Sequence, residues 1–339
     1  MTSPLHLPDS WQSLLSHTIN SPEALIDYLQ LPNTLLDDIK AGHRSFATRA
    51  PKPYLDRIEK GNLRDPLLLQ ILPLATENAV VDGFVSDPLE ELSTNPHQGI
   101  IHKYQGRVLL IMSGACAINC RYCFRRHFPY EDNQLGQAAW AQMLDYIRAD
   151  SSISEVILSG GDPLAVSDKR LAKLVADVEA IPHVQRLRIH TRLPVVIPQR
   201  VTQPLLDTLA NNRLSVVMVL HINHPNEIDE HVGAALNRLA DTGVSLLNQA
   251  VLLKDINDNA DILCTLSETL LRWRVLPYYL FLLDRVAGAA HFDVCEAKAQ
   301  DLVAEVQARL PGYLVPRLAR EIPDRPSKTL LMPKARTNS

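Results

Sequence analysis

The sequence predicts an α/β fold: a partial, open barrel of six strand–helix units, preceded by a helical extension and followed by a short C-terminal segment. Three observations predict it. Six short apolar runs recur between about residues 107 and 284, each separated from the next by a polar loop and a segment of helical period. Strands that alternate with crossover helices pair in parallel and connect right-handedly. Unusual polar residues sit at or near the C-terminal end of each run, and in parallel barrels that end forms the reactive face. A chain of 339 residues can bury the core such a fold needs.

Residues 1–95 are punctuated by proline and read as short helices. In SPEALIDYL, Ser21 is placed to cap and Pro22 takes the first helical position; DPLLLQILPL repeats the scheme. Residues 96–310 hold the six units. Their apolar runs are Arg107 to Met112, Glu155 to Ser159, Arg186 to His190, Leu214 to His221, Val244 to Leu253 and Leu276 to Asp284. Helices are predicted between them near 134–149, 167–180, 201–211, 227–241 and 260–273, with a last one near 294–310. Residues 311–339 form the C-terminal segment.

A formal charge of −4 with interspersed signs argues against nucleic acid as a partner. No apolar run approaches the roughly 20 residues that span a bilayer, and no basic-then-apolar leader opens the chain, so a cytoplasmic protein is expected. Five cysteines, an odd number, point to reduced thiols rather than a disulfide framework.

The first run ends in SGACAINCRYCFRRHF, the second in SGGDP, the third in HTR and the fourth in HINHP; NQ interrupts the fifth and Asp284 ends the sixth. All are expected to open onto one cavity, with His190, Arg192, His221, Asn223, His224 and Gln249 on its side. Cys116, Cys120 and Cys123 are spaced C-x3-C-x2-C. A closed zinc site takes four ligands, usually as two pairs. Cys264 and Cys295 sit alone in segments read as helical, where a buried apolar role suits them. Three thiolates on one tight loop can instead hold three irons of a cubane cluster and leave the fourth open to a small molecule.

The cysteine spacing, with Tyr122 before the third thiol, resembles the signature of the radical S-adenosylmethionine enzymes. The resemblance implies a [4Fe-4S] cluster on Cys116, Cys120 and Cys123, with S-adenosylmethionine on the open iron. It places Gly160, Gly161 and Asp162 of SGGDP beside the methionyl amino group, and His221 and Gln249 as further contacts. From about Lys103 to Pro333 the chain is similar to the lysine 2,3-aminomutase family, through CRYCFRRHF, ILSGGDPL, IPHVQRLRIHTRLPVVIPQR, HINHPNEI, NQAVLLKDIND, LPYYLFLLD and KTLLMP. Members combine the cluster and S-adenosylmethionine with pyridoxal 5'-phosphate: a radical removes hydrogen from the carbon β to the carboxylate, and pyridoxal carries the migrating nitrogen.

That resemblance makes Lys328, in RPSKTLLMP, the pyridoxal lysine, although Asp324, Arg325, Pro326 and Ser327 replace the glycines usual there. Lys334 is the next amine to test. Lys103 and Arg107 are implied as partners of the cofactor phosphate. Arg125 matches an arginine that clamps the substrate α-carboxylate with two parallel hydrogen bonds, while Arg126 serves the fold. Asp284 and Glu321 match two acids that grip the ε-ammonium of lysine; the second is Asp in lysine-using members. Larger members carry a zinc site to which a cysteine after the fifth strand contributes; NDNAD offers Asn259 there, and no zinc site is expected. The chain thus resembles the short bacterial branch that makes (R)-β-lysine for elongation factor P, to which a separate β-lysine ligase attaches it. The implied partners are L-lysine, an electron donor such as flavodoxin or ferredoxin and, functionally, elongation factor P and its ligase. Alternatives are another cationic amino acid, or lysine already attached to the factor, as substrate. A non-enzymatic iron–sulfur carrier would leave Lys328, Arg125 and the acid pair without purpose; a radical S-adenosylmethionine enzyme of another type would lack the pyridoxal lysine.

Overall fold

Parallel strands require crossovers long enough to return the chain to the same edge, and each predicted run is followed by one. In a computed structural model, which describes residues 10–91, 99–129 and 137–333, nine strands form one sheet in sequence order. They are β1 (Ile100–Tyr104), β2 (Arg107–Ser113), β3 (Glu155–Gly160), β4 (Arg186–Thr191), β5 (Ser215–His221), β6 (Ser245–Val251), β7 (Leu276–Phe281), β8 (Arg317–Arg320) and β9 (Thr329–Leu330). Strands β2 to β8 pair in parallel with their neighbours, and β1 and β9 run antiparallel at the two open edges. The six predicted strands are β2 to β7. The structure adds β1, which turns back onto β2 at Gly106 (φ +75), and it adds β8 and β9 within the C-terminal segment.

The crossover helices are Gln137–Ala149, Asp168–Glu179, Gln203–Ala210, Glu230–Asp241, Ala260–Arg272 and Glu296–Arg309. Ser167, Thr202, Asp229 and Asn259 cap four of them, each accepting a hydrogen bond from a first-turn N–H. The first predicted helix begins at 134–136, outside the described residues. Cys264 is buried as expected, but Cys295 is not: it is exposed, with extended backbone, and precedes the last helix as its cap residue. A residue outside the helix, at its entrance, has no core to fill.

In the extension, Ser21 caps Pro22–Leu29 and Asp65 caps Pro66–Leu69, as the Ser-Pro and Asp-Pro pairs predict. Leu25, Leu29, Tyr54 and Leu67 of these segments join Leu158, Ile189 and Leu220 of the sheet in one core. Fully burying side chains of this size contributes about 1.5–3 kcal/mol each, so the extension is fastened to the barrel. A smaller cluster around Leu252, Leu280 and Leu318 lies under the later strands. Among the described residues, no helix is long and apolar enough to cross a membrane.

Candidate active site

Side chains alternate across a strand, so positions two apart share a face. On β4 this aligns Arg188 and His190; on β3, Glu155, Ile157 and Ser159; with Arg192, just after β4, all six border one cavity of about 630 Å³. That volume lies within the range of about 300–1,000 Å³ typical of small-molecule sites. The same cavity is lined by Cys116, Cys120, Cys123 and Arg125 after β2, and by Gly160, Gly161 and Asp162 at the end of β3. His221 and Gln249, which pair directly across β5 and β6, also face it. Its far wall brings together Lys103, Arg107, Asp284, Glu321 and Lys328. Asn223 and His224 do not line it, contrary to the sequence expectation. Asn223 Oδ1 accepts from the Val251 N–H at 2.9 Å, tying the loop after β5 to the end of β6, and His224 Nδ1 accepts from Asn226 N–H at 3.2 Å within that loop.

The cysteine loop is shaped by the helical extension. Asn119 N–H donates to the Arg49 carbonyl and Arg121 N–H to that of Gln70, both at 2.9 Å. The Arg121 guanidinium, 0% exposed, donates to Glu77 Oε1 at 2.8 Å and to the Phe46 carbonyl at 2.7 Å. Arg126 reaches the same Glu77 at 2.8 Å, which gives it the structural role expected. Desolvation pushes the Cys116 thiol well up, and Cys123 up to about 11, so these sulfurs are not reactive surface thiolates; a metal would have to displace their protons. No three His, Cys, Asp or Glu side chains among the described residues converge on a single ion. Thiolates that each bind a different iron of a cubane need not converge, so this donor set suits a cluster.

SGGDP packs directly on that loop. Gly160 has φ +110, and a Cβ on Gly161 would sit 2.7 Å from the Ala115 carbonyl oxygen. Asp162 borders the cavity, but its carboxylate faces inward: Oδ1 accepts from the Thr191 hydroxyl at 2.7 Å, and Oδ2 from Arg192 N–H at 2.8 Å and Leu193 N–H at 2.9 Å. Its carboxylate builds the wall that joins β3 to β4. His190 Nε2 and His221 Nε2 are buried with no hydrogen-bond partner. Desolvation, aided by nearby guanidinium charge, holds His190 well below its ordinary range and His221 at about 4. Both imidazoles are therefore neutral, with ring nitrogens left for a ligand.

At the far wall, the Lys328 ammonium pairs with Glu321 Oε2, while Tyr104 OH donates to Glu321 Oε1 at 3.2 Å and Lys103 Nζ lies 3.8 Å from the same oxygen. Burial alone would raise the Glu321 carboxyl; the two ammonium groups overcome it and hold Glu321 low. Asp284 is pushed up to about 7 by desolvation and by the charge of Glu321. The Arg107 guanidinium stacks 4.4 Å from the Tyr104 ring centroid and has no hydrogen-bond acceptor among the described residues, leaving its fork open to an anion. Lys334 lies outside the described residues.

Arg125 already holds a carboxylate. Its Nε and Nη2 donate to Glu91 at 2.6 and 2.8 Å, with the pair buried, and Nη1 reaches Ser159 Oγ at 3.2 Å. Glu91 was missed by sequence reasoning, since SDPLEEL has no period to place it. Arg188, paired with Glu155 at 3.2 Å, was findable: it lies two residues before His190 on the same strand face.

A family model described as the Radical SAM superfamily matches residues 110–261. L-lysine 2,3-aminomutase of Haemophilus influenzae is 50% identical over 321 residues, 95% of this chain and 95% of that one. The Escherichia coli K12 protein of the same name is 47% identical and covers 95% of this chain and 94% of its own. That of Clostridium subterminale is 34% identical over 96% of this chain and 78% of its own. Likeness of this degree extends well beyond the cysteine loop to both walls of the cavity, and the chain belongs to the lysine 2,3-aminomutase family of the radical S-adenosylmethionine superfamily.

Proposed function

We propose that the protein converts L-lysine to (R)-β-lysine, with a [4Fe-4S] cluster, S-adenosylmethionine and pyridoxal 5'-phosphate as cofactors, and that the product serves β-lysylation of elongation factor P in the cytoplasm. The observation that carries the reading is the charge inventory of a single cavity: the acids Asp284 and Glu321, the guanidinium of Arg125, three thiols and the amine of Lys328. These complement, in turn, the ammonium and carboxylate of lysine, an iron–sulfur cluster and a carbonyl cofactor.

Cys116, Cys120 and Cys123 would hold the cluster, with His221, Gln249 and the backbone at Gly160 and Gly161 around S-adenosylmethionine. Lys328 would hold pyridoxal, and Arg107 and Lys103 its phosphate. When bound, the cluster and S-adenosylmethionine supply hydrogen abstraction at the carbon β to the carboxylate, and pyridoxal phosphate carries the nitrogen across. Arg125 orients the substrate by its α-carboxylate, exchanging Glu91 for it. Asp284 releases its proton as the ε-ammonium arrives, because an opposite charge favours the ionised form. Glu321, held by Lys328 in the ligand-free protein, gains freedom to face the ammonium once that amine is engaged. Tyr104 and Phe281, whose ring centroids lie 6.0 and 5.1 Å from Lys328 Nζ, stack beside the amine.

The elongation factor role rests on the resemblance to the short bacterial branch, marked by Glu321 and by the loop before Lys328. A flavodoxin- or ferredoxin-type protein would supply the electron. The test is chiral chromatography of anaerobic, reduced incubations with free L-lysine, for wild type and Lys328→Ala. (R)-β-lysine from wild type alone, with borohydride fixing a phosphopyridoxyl group on Lys328, is the expected result. Turnover only of lysine attached to the factor would correct the substrate form; a phosphopyridoxyl group on another lysine would move the anchor.

A further inference from the structure

Arg192 follows β4 and is buried at the edge of the cavity. Its Nη1 lies 2.7 Å from Cys120 Sγ, as donor to sulfur. Its Nη2 donates to Glu227 Oε2 at 2.8 Å and to Gln70 Oε1 at 2.7 Å. Its own N–H is fixed by Asp162. Glu227 is 0% exposed and also accepts from Asn223 N–H at 2.8 Å, His224 N–H at 3.1 Å and Gln70 Nε2 at 3.2 Å. The helical extension, the end of β3 and the loop after β5 thus each contribute a group that aims this guanidinium. Neutralising its charge would need only Glu227; the remaining contacts fix its direction, and one arm of the fork points at a cysteine sulfur. Hydrogen bonds to the ligating sulfurs and nearby buried charge are among the levers that set an iron–sulfur potential, and both act strongly in a low-dielectric interior.

We propose that Arg192 is a redox-tuning residue: its guanidinium donates to the Cys120 sulfur when that sulfur ligates iron and raises the reduction potential of the cluster, while Glu227 sets how much of the charge the cluster feels. This rests on the reading of Cys120 as a ligand. The event tuned is uptake of one electron by the oxidised cluster from an external one-electron donor. No bond is made or broken, and the added negative charge is what the guanidinium stabilises. Because the donor must reach this potential, Arg192 governs how readily reduction precedes cleavage of S-adenosylmethionine.

The experiment is a dithionite redox titration of the anaerobically reconstituted full chain, read by the electron paramagnetic resonance of the reduced cluster. Arg192→Gln is expected to shift the midpoint negative by at least the equivalent of a tenfold change in the reduction equilibrium, about 59 mV for one electron. Arg192→Lys, which keeps the charge, is expected to shift it less, and Glu227→Gln to shift it positive. Should Arg192→Gln fail to hold iron, Glu227→Gln decides by the sign of its shift. Unchanged midpoints at full iron content, or loss of iron in both variants, would overturn the proposal and leave the network as a scaffold for the loop. A Cys120→Ala protein that kept its full cluster would instead overturn the ligand reading beneath it.

Discussion

Asp284 carries a charge problem that substitution should expose. Burial and the Glu321 carboxylate push it up to about 7 from an ordinary 3.8. Between those values the folded chain binds a proton that the unfolded chain has released, so stability falls as pH rises from about 4 and the loss is complete above about 7. A gap of about 3 pH units corresponds to about 4 kcal/mol. The side chain lines the cavity and is only part-buried, so solvent screening reduces this to about 2 kcal/mol. Asp284→Asn preserves shape and never ionises. Urea unfolding of the cofactor-free protein should therefore find the variant more stable by about 2–4 kcal/mol near pH 8, with the difference shrinking toward about pH 5. Function should move the other way: an amide cannot neutralise the substrate ammonium, and loss of a buried partner costs about 3–5 kcal/mol, or about 10²–10⁴-fold in lysine turnover. A variant both more stable and far less active is the signature of a residue strained for its task. An Asn variant less stable than wild type near pH 8, or a difference that ignores pH, would refute the reasoning.

Cys120→Ala is expected to lose cluster iron and Cys264→Ala, in the smaller core cluster, to keep it; iron and sulfide analysis checks both, and loss in the second would reassign the ligands. Gly161→Ala drives a methyl to 2.7 Å from the Ala115 carbonyl oxygen, so calorimetric titration should find S-adenosylmethionine binding lost, whereas Gly312→Ala, with nothing within 4 Å, should bind normally. Glu91→Gln removes the charge that occupies the Arg125 fork. It should lower the urea midpoint, by about 3 kcal/mol in stability, and also lower the KM for lysine, whose carboxylate no longer competes; a raised KM would show that Glu91 positions Arg125 instead.

The parallel core of the fold was legible because the chain spells it in apolar runs and helical periods of ordinary length. β1 was lost because IIHKYQGRVLLIM reads as one approach to β2, with the turn signalled only by Gly106. β8, RLAR, is four residues long with two of them charged, too short for alternation to stand out. Within the site, residues at strand ends could be placed because topology alone gathers them. The state of their side chains could not. That Asp162 turns its carboxylate into the protein, that Glu91 fills the Arg125 fork and that Glu321 holds Lys328 are facts of three-dimensional partnering between segments far apart or without period. Cys295 shows the limit at helix ends, where one residue separates a core position from an exposed cap.

Lys328 stands one residue before β9, a strand of two residues whose pairing is to β8 alone. Beyond it Leu330 and Met332 are exposed, whereas the cysteine loop is bonded into the extension and the main core. Hydrogen exchange should therefore find two separate cooperative units: the terminal hairpin opening for a small part of the global free energy, and the loop only when the barrel itself gives way. An amine carried on the first unit can be uncovered and covered again while a cluster on the second stays in place. On the proposed assignment of pyridoxal phosphate to Lys328 and a cluster to the cysteine loop, the two groups would turn over on independent clocks, one set by local breathing of the sheet edge and the other by the lifetime of the fold.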